Sequence, residues 1–267
     1  MELNGRQLNP LLQKFLNNFQ NIQNYNFLIF LRRIKDFIPI LYSLNELKID
    51  LNDKNCISLG AGSGDIEIFL SNIFNFSNFD LSDHKSPSKS NLDIINSLHN
   101  YNFKLFDVDE ANPFELQSYD MVMSTQVIEH INDYKSFFKL KSKLLKKNGI
   151  MILSTPFYDS TNKPSSLHMQ REWDLHSHYH PGFDFSDIMN LSKENNLEIL
   201  YSSYSSFIVG EESLYESFLK SEIIYNAKLE TNFLKDILKI FYQAHQFCLI
   251  RNLNQAKDIF FVLKKIN

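Results

Sequence analysis

The chain has 267 residues, 43% of them apolar, and a formal net charge of −4. That length and apolar content suit one sizeable domain with additions, and the mild acidity leaves no electrostatic footprint for nucleic acid. The two cysteines, Cys56 and Cys248, stand far apart in apolar settings and read as reduced core thiols; the polar beginning does not read as a secretory signal, and no apolar run reaches the length of a membrane span, so the expected location is the cytoplasm.

In chain order, residues 8 to about 50 come first, with apolar side chains at helical spacing: Leu12, Phe15, Leu16 and Phe19, then Phe27, Leu31, Ile34, Ile38 and Leu41. Pro39 is expected to break or kink the second helix. The run Phe27–Lys35 also fits a helix lying on a membrane surface, with Arg32, Arg33 and Lys35 at the headgroups.

Residues Cys56–Gly64 read Cys-Ile-Ser-Leu-Gly-Ala-Gly-Ser-Gly and are followed at once by the amphipathic run Asp65–Leu70. An apolar strand, a turn and a helix are predicted, with three of the chain's seven glycines within five positions. Glycine permits positive φ and close backbone approach, and the helix start offers free N–H groups to an anionic group. The dinucleotide pattern counted from Gly60 and Gly62 needs a glycine where Asp65 stands. No Gly-Lys-Ser/Thr follows either, so the phosphate-binding P-loop is excluded.

Further strands are expected over Asn78–Ser82, carrying Asp80, and over Phe103–Val108, carrying Asp107. A fourth strand within Tyr119–His130 runs into a helix, and a fifth, Gly149–Pro156, is introduced by an Asn-Gly turn. A sixth lies at Leu197–Ser202 and a last one near Asp258–Leu263.

In this order and spacing the series resembles the class I S-adenosylmethionine-dependent methyltransferases, the small-molecule branch with Glu-His after the fourth strand, here Glu129-His130. The resemblance spans about residues 53–202 plus the last strand. It implies an α/β fold: a seven-stranded Rossmann-like sheet with helices on both faces. The N-terminal helical region 1–50 would be packed on the sheet or act as a lid, and the methyltransferase domain would cover 51–267. A helical insertion at about 211–256 is unusual at this place. Leu234, Ile237, Leu238, Phe241 and Cys248 mark one helix in it and Tyr215–Ile224 another. It could cap the substrate pocket or form a homodimer contact.

By the same resemblance the cofactor is S-adenosyl-L-methionine. Gly60, Ala61, Gly62 and Gly64 would line its methionine moiety, Asp80 with Leu81 the ribose, and Asp107 and Val108 the adenine. Ser124, Thr125 and Gln126 would sit beside the sulfonium. Asp83 competes with Asp80, which is preferred on strand position. Ser58 stands where the family usually carries an acid, so weaker cofactor binding or a compensating carboxylate, Asp65 or Glu129, is expected.

A sulfonium methyl is already electrophilic, so catalysis is chiefly alignment of the acceptor. A hydroxyl acceptor also needs help in losing its proton, for which histidine suits neutral pH. His180 is the first choice, His176 the second and His130 the third, while His168 and His178 share the histidine-rich stretch after the fifth strand. The structural alternative for each is a hydrogen bond that ties down the loop. Alternation of His176, His178 and His180, with Asp174, could hold a divalent metal if the segment were extended, but no metal ligand is assigned from a histidine run lacking a strand. Ser186 reads as the N-cap of the next helix. Trp173, Tyr158, Tyr179 and Phe183 could wall an acceptor pocket or edge the core.

The expected reaction is methyl transfer to a small molecule, O-methylation of a saccharide or secondary-metabolite hydroxyl. C-methylation of a quinone-like ring and a non-catalytic scaffold on the same fold are the alternatives. Nucleic acid is not the expected substrate, because Ser154-Thr-Pro-Phe157 is not the Asn/Asp-Pro-Pro-Tyr signature of base amino-methyltransferases.

Overall fold

Apolar runs separated by glycine turns pair into one sheet. The computed structural model describes residues 9–18, 27–108, 110–158, 177–209, 212–213, 231–250 and 256–266. The strands are β1 (Asn55–Leu59), β2 (Asn78–Asp83), β3 (Tyr101–Leu105), β4 (Tyr119–Thr125), β5 (Leu145–Pro156), β6 (Leu197–Val209), the two-residue β7 (Glu212–Ser213) and β8 (Ala256–Lys265). Their order is β3-β2-β1-β4-β5-β8-β6-β7. Strands β1 to β5 pair in parallel, whereas β8 runs antiparallel between β5 and β6. With β7 only a hairpin return on β6, seven strands carry the expected Rossmann-like sheet. The order reverses between β1 and β4, and such a switch point opens a crevice at the carboxyl ends of the strands.

Alternation along the strands sends side chains into two cores. Met121 and Met123 of β4 join one, and Val122 between them joins the other. On the first face lie α1 (Pro10–Asn18), α2 (Phe27–Glu46), α3 (Asp65–Ser71) and α4 (Lys89–Ser97). The second carries α5 (Tyr134–Leu144) and α6 (Phe185–Glu194). The last helix, α7 (Thr231–Ile250), packs on α2 and β6 and sends Ile237, Leu238 and Tyr242 into the first core. It contains the insertion helix read from Leu234 to Cys248; the helix expected at Tyr215–Ile224 lies outside the described residues.

Three local expectations are corrected. Pro39 does not end α2, which runs through it. An internal proline costs about 3 kcal/mol, but Ile34, Phe37, Ile38, Ile40, Leu41 and Leu44 are all buried, at about 1.5–3 kcal/mol each. Phe37 packs between Phe15 and Phe69, with ring centroids 4.9 and 5.3 Å away. The Asn-Gly pair lies inside β5 rather than before it. There the register with β4 slips between Tyr119↔Leu145 and Met121↔Ile150, with Asn148 at φ 64. The N-cap of α6 is Asp184 and not Ser186. Asp184 forms a capping box with Asp187, and the Ser186 hydroxyl donates to the Asp184 carboxylate at 2.7 Å. Among the described residues no helix is long and apolar enough to cross a membrane.

Under β4 the second core holds a charged group. Lys141 of α5 is fully buried, its Nζ donating to Ser124 Oγ at 2.7 Å and lying 5.0 and 5.4 Å from the ring centres of Phe137 and Phe138. Burial pulls its pKa down from 10.5 to about 7, against the opposing pull of Glu129. Between those two values the unfolded chain binds more protons than the folded one, so this lysine makes stability rise with pH across that window. Urea unfolding of wild type and Lys141→Met at pH 7 and pH 9.5 should therefore show the wild type gaining relative to the variant at the higher pH. An identical pH slope in both proteins would mean that Lys141 does not titrate in the window.

Candidate active site

Parallel strands aim the carboxyl ends of β1, β2 and β4 at one cavity of about 820 Å³. Its floor is the turn after β1. Gly60 and Gly62 hold φ of 77° and 59°, values that side chains other than glycine rarely adopt. A Cβ on Gly60 would also come within 2.5 Å of Val127. The turn is fastened to the end of β2: the N–H groups of Gly60 and Ala61 donate to the Ser82 carbonyl at 2.8 and 2.9 Å, and the Gly62 N–H donates to Asp83 Oδ2 at 2.8 Å.

Strand β2 runs one residue beyond its expected end, and this changes which acid faces the cavity. Asp83 is part of the lining, while Asp80 is not. Asp80 sits mid-strand, half-buried, accepting from Tyr119 Oη at 2.7 Å and Asn102 Nδ2 at 3.4 Å. At about 3.3 Å per residue, Asp83 lies roughly 10 Å further towards the mouth. Its Oδ1 accepts the Lys85 N–H at 3.1 Å and lies 2.9 Å from His84 Nδ1.

Of the other residues read as cofactor contacts, Gly60, Gly62, Asp107, Val108, Thr125 and Gln126 line the cavity. Ser58, Ala61, Gly64, Leu81 and Ser124 do not. Leu81 is fully buried, Gly64 caps α3, and Ser124 points under β4 to Lys141. Ser58 lies buried beside Glu67. Burial pushes the Glu67 carboxyl up to about 7, against a hydrogen bond from Ser58.

The charge near this turn comes instead from helix α2. Arg33 lines the cavity and lies 3.6 Å from Asp65 and 3.8 Å from Asp36. Asp65 is buried at the start of α3, accepts from Asn91 Nδ2 at 3.0 Å and from the Ser63 hydroxyl, and is pushed up to about 6 by burial. In the sequence Arg33 carried only an alternative role, at a membrane surface, beside the expected helix packed on the sheet or acting as a lid. The signal for its true position was the Arg33/Asp36 pair at i,i+3 spacing beside the apolar stripe. The short segment His84–Ser88, also part of the lining, had no signal beyond its polar turn composition.

The three candidate histidines separate. His130 lines the cavity, its Nδ1 3.3 Å from the Ser177 carbonyl. His180 is not in the lining: its Nε2 lies 3.3 Å from the Asn132 carbonyl and its ring meets Tyr134 edge-on at 4.7 Å. It anchors the loop. His176 lies outside the described residues, as do His168, Trp173 and Asp174. Of the aromatic wall, Tyr179 faces the cavity, and Phe183 belongs to the core. Glu129 is buried, accepts from the Thr155 hydroxyl at 3.1 Å and is pushed up to about 8 by burial. Its carbonyl receives the N–H groups of Tyr179 and His180 at 2.9 and 3.1 Å.

The chain is similar to known proteins in sequence and fold. The methyltransferase-domain family matches residues 30–202. A ubiquinone biosynthesis O-methyltransferase of Pelagibacter ubique is 37% identical over 71 residues, 26% of this chain and 30% of that protein. A malonyl-acyl-carrier-protein O-methyltransferase of Ilyobacter polytropus is 29% identical over 102 residues, 38% of this chain and 39% of its own length. The chain thus spans well under half of either curated relative. A phosphoethanolamine N-methyltransferase of Haemonchus contortus, solved with S-adenosyl-L-methionine, superposes with a TM-score of 0.60 at 16% identity, covering 85% of this chain and 52% of the other. At that identity the likeness is one of fold. With the family covering the glycine turn, the strand-end acids and β1 to β5, the chain belongs to the class I S-adenosylmethionine-dependent methyltransferases.

Proposed function

We propose that the protein transfers a methyl group to a hydroxyl of a small-molecule acceptor, a saccharide or a secondary metabolite. The observation that carries this reading is one cavity lined both by the glycine turn, Asp83 and Asp107–Val108 and by His130, Ile131, Asn132 and Tyr179, with Thr125–Val127 also in the lining. Both curated relatives are O-methyltransferases by name, which favours oxygen over ring carbon as the acceptor atom.

The residues present fit S-adenosylmethionine. It supplies an electrophilic methyl on a positively charged sulfur. The Gly62 N–H engages Oδ2 of Asp83, and the Lys85 N–H and His84 engage Oδ1; a carboxylate offers about four lone-pair sites, so Oδ2 can still accept a ribose hydroxyl. Asp107 and the Val108 N–H, both residues of the lining, would take the adenine edge. The close approach permitted by Gly60 and Gly62 admits the methionine portion, with Arg33 to its carboxylate and the Asp65 region to its ammonium. This reassigns the ribose from Asp80 to Asp83 and replaces the uncharged Ser58 by the Arg33/Asp65 pair. Thr125 and Gln126 flank the transfer path, and activation of the acceptor hydroxyl passes from His180 to His130.

Two substitutions separate the ribose assignments. Asp83→Asn should weaken S-adenosylhomocysteine by tenfold or more in calorimetry, about 1.4 kcal/mol or above, whereas Asp80→Asn should stay within about threefold. The reverse ranking would return the ribose to Asp80. Arg33→Ala should weaken S-adenosylhomocysteine roughly five- to tenfold yet leave adenosine, which lacks the methionine portion, unchanged. Equal losses for both ligands would place Arg33 elsewhere. The acceptor class is read by incubating the protein with methyl-labelled cofactor and matched panels of hydroxyl, amine and ring-carbon acceptors. Label should enter the hydroxyl panel first, and label confined to amines would overturn the O-methyl reading.

A further inference from the structure

The two loops that close the acceptor wall are stapled together at one point. The Glu129 carbonyl takes the N–H groups of both Tyr179 and His180, and the Ser177 carbonyl lies 3.3 Å from His130 Nδ1. These contacts bring His178, from the loop after β5, against the Glu-His pair after β4. The rings of His130 and His178 meet edge to face, with centroids 4.6 Å apart and planes at 78°. One ligand atom from each of Glu129, His130 and His178 falls within 4.8 Å of the others.

We propose that Glu129, His130 and His178 form a binding site for a first-row divalent cation on the acceptor side of the cavity. Two imidazoles and one carboxylate are a mixed nitrogen and oxygen donor set that suits zinc, cobalt, iron or manganese rather than magnesium or calcium. Bonds of about 2.1 Å put ligands roughly 3–4 Å apart, so side-chain adjustments on the order of 1 Å complete the set. Glu129 supplies an independent sign. One of its oxygens is held by Thr155, while Oε1 is buried and has no hydrogen-bond partner. A buried carboxyl oxygen without a partner is costly, and a cation that displaces the acid's proton and binds the carboxylate removes that cost. His130 is oriented for the role as well. An Nδ1–H donated to the Ser177 carbonyl fixes the tautomer whose Nε2 carries the lone pair, the usual arrangement behind a metal-bound imidazole.

Three protein donors leave positions for acceptor oxygen, and His130, Ser177 and Tyr179 all line the cavity. This extension rests on the O-methyl reading. With an ion bound, His130 acts as a ligand and not as a base. The ion lowers the pKa of a bound hydroxyl and its proton passes to water. The oxygen then bonds to the methyl carbon as the carbon–sulfur bond breaks, its electron pair staying on a neutral thioether.

The site is tested with the full chain stripped by chelator and titrated with Co²⁺, read by calorimetry and by the visible spectrum. One equivalent should bind the wild type, with absorption bands of nitrogen- and oxygen-coordinated cobalt. Affinity should fall tenfold or more in His178→Ala and in Glu129→Gln, and be kept in His99→Ala, an exposed histidine just beyond α4. Circular dichroism and thermal melting report whether each variant is folded. No stoichiometric binding by wild type, or wild-type affinity in a folded His178→Ala, overturns the proposal. S-adenosylhomocysteine titrated without metal reports separately on the cofactor site, so its binding alongside absent cobalt binding would sink the metal site and leave the methyltransferase reading standing.

Discussion

The attachment of the glycine turn to the end of β2 is the contact on which the rest of the site depends. Two successive N–H groups on one carbonyl and a third on the Asp83 carboxylate fix the turn where β1 stops. Without side chains at Gly60 and Gly62, that backbone is the surface a ligand meets. The same carboxylate that aligns the turn also faces the cavity, so under the proposed ribose assignment shaping the site and binding the cofactor would fall to one residue. The Asp83 carbonyl meanwhile takes the Phe106 N–H at 2.9 Å, which carries the chain from β3 towards Asp107. Three strand ends are thereby referenced to one position.

Packing explains why this arrangement is held firmly. Helices α1 and α2 share a core with β1, β4 and β8, and Phe15 and Phe37 tie the N-terminal region to Phe69 of α3. Arg33 is carried on that helix, and its reach to Asp65 and the cavity is set by the burial of Ile34 and Phe37 beside it. The acceptor wall is built differently. It is assembled from loops, held by backbone hydrogen bonds to Glu129, with His180 packed against Tyr134 and Phe183 as the peg.

How much of this the sequence disclosed follows from the physics of each signal. The succession of strands and the glycine turn were legible because local pattern determines them, and the sheet's layout came from the family resemblance; the third strand, expected over Phe103–Val108, is Tyr101–Leu105, and Asp107 stands two residues past its end. The choice between Asp80 and Asp83 was not, because a strand end shifts by one residue with its pairing partners, here β3 through Asp83↔Leu105. The N-cap of α6 slipped two residues because Asp184 and Ser186 are both good caps, and only the reciprocal contact with Asp187 separates them. Lys141 left no trace in the sequence, since a lysine in a charged helix reads as solvated until the packing of Phe137 and Phe138 is known. Ser124 was misplaced for the same reason, being turned away from the cavity by a partner 17 residues on.

Ser58 can now be weighed. An acid at that position would stand at the end of β1 beside Glu67, which is already fully buried and pushed up to about 7 by that burial. Two carboxylates there would compete for one proton in a low-dielectric wall. With serine in place no further buried acid joins Glu67 and Asp65 beside the turn, and of the Arg33/Asp65 pair it is the Arg33 guanidinium that reaches the cavity lining. A serine at this position is therefore consistent with a working cofactor site whose charge comes from the first helix layer and not from the strand. It also gives α2 a function beyond covering the sheet, since the segment that packs the core through Phe37 delivers the guanidinium through Arg33.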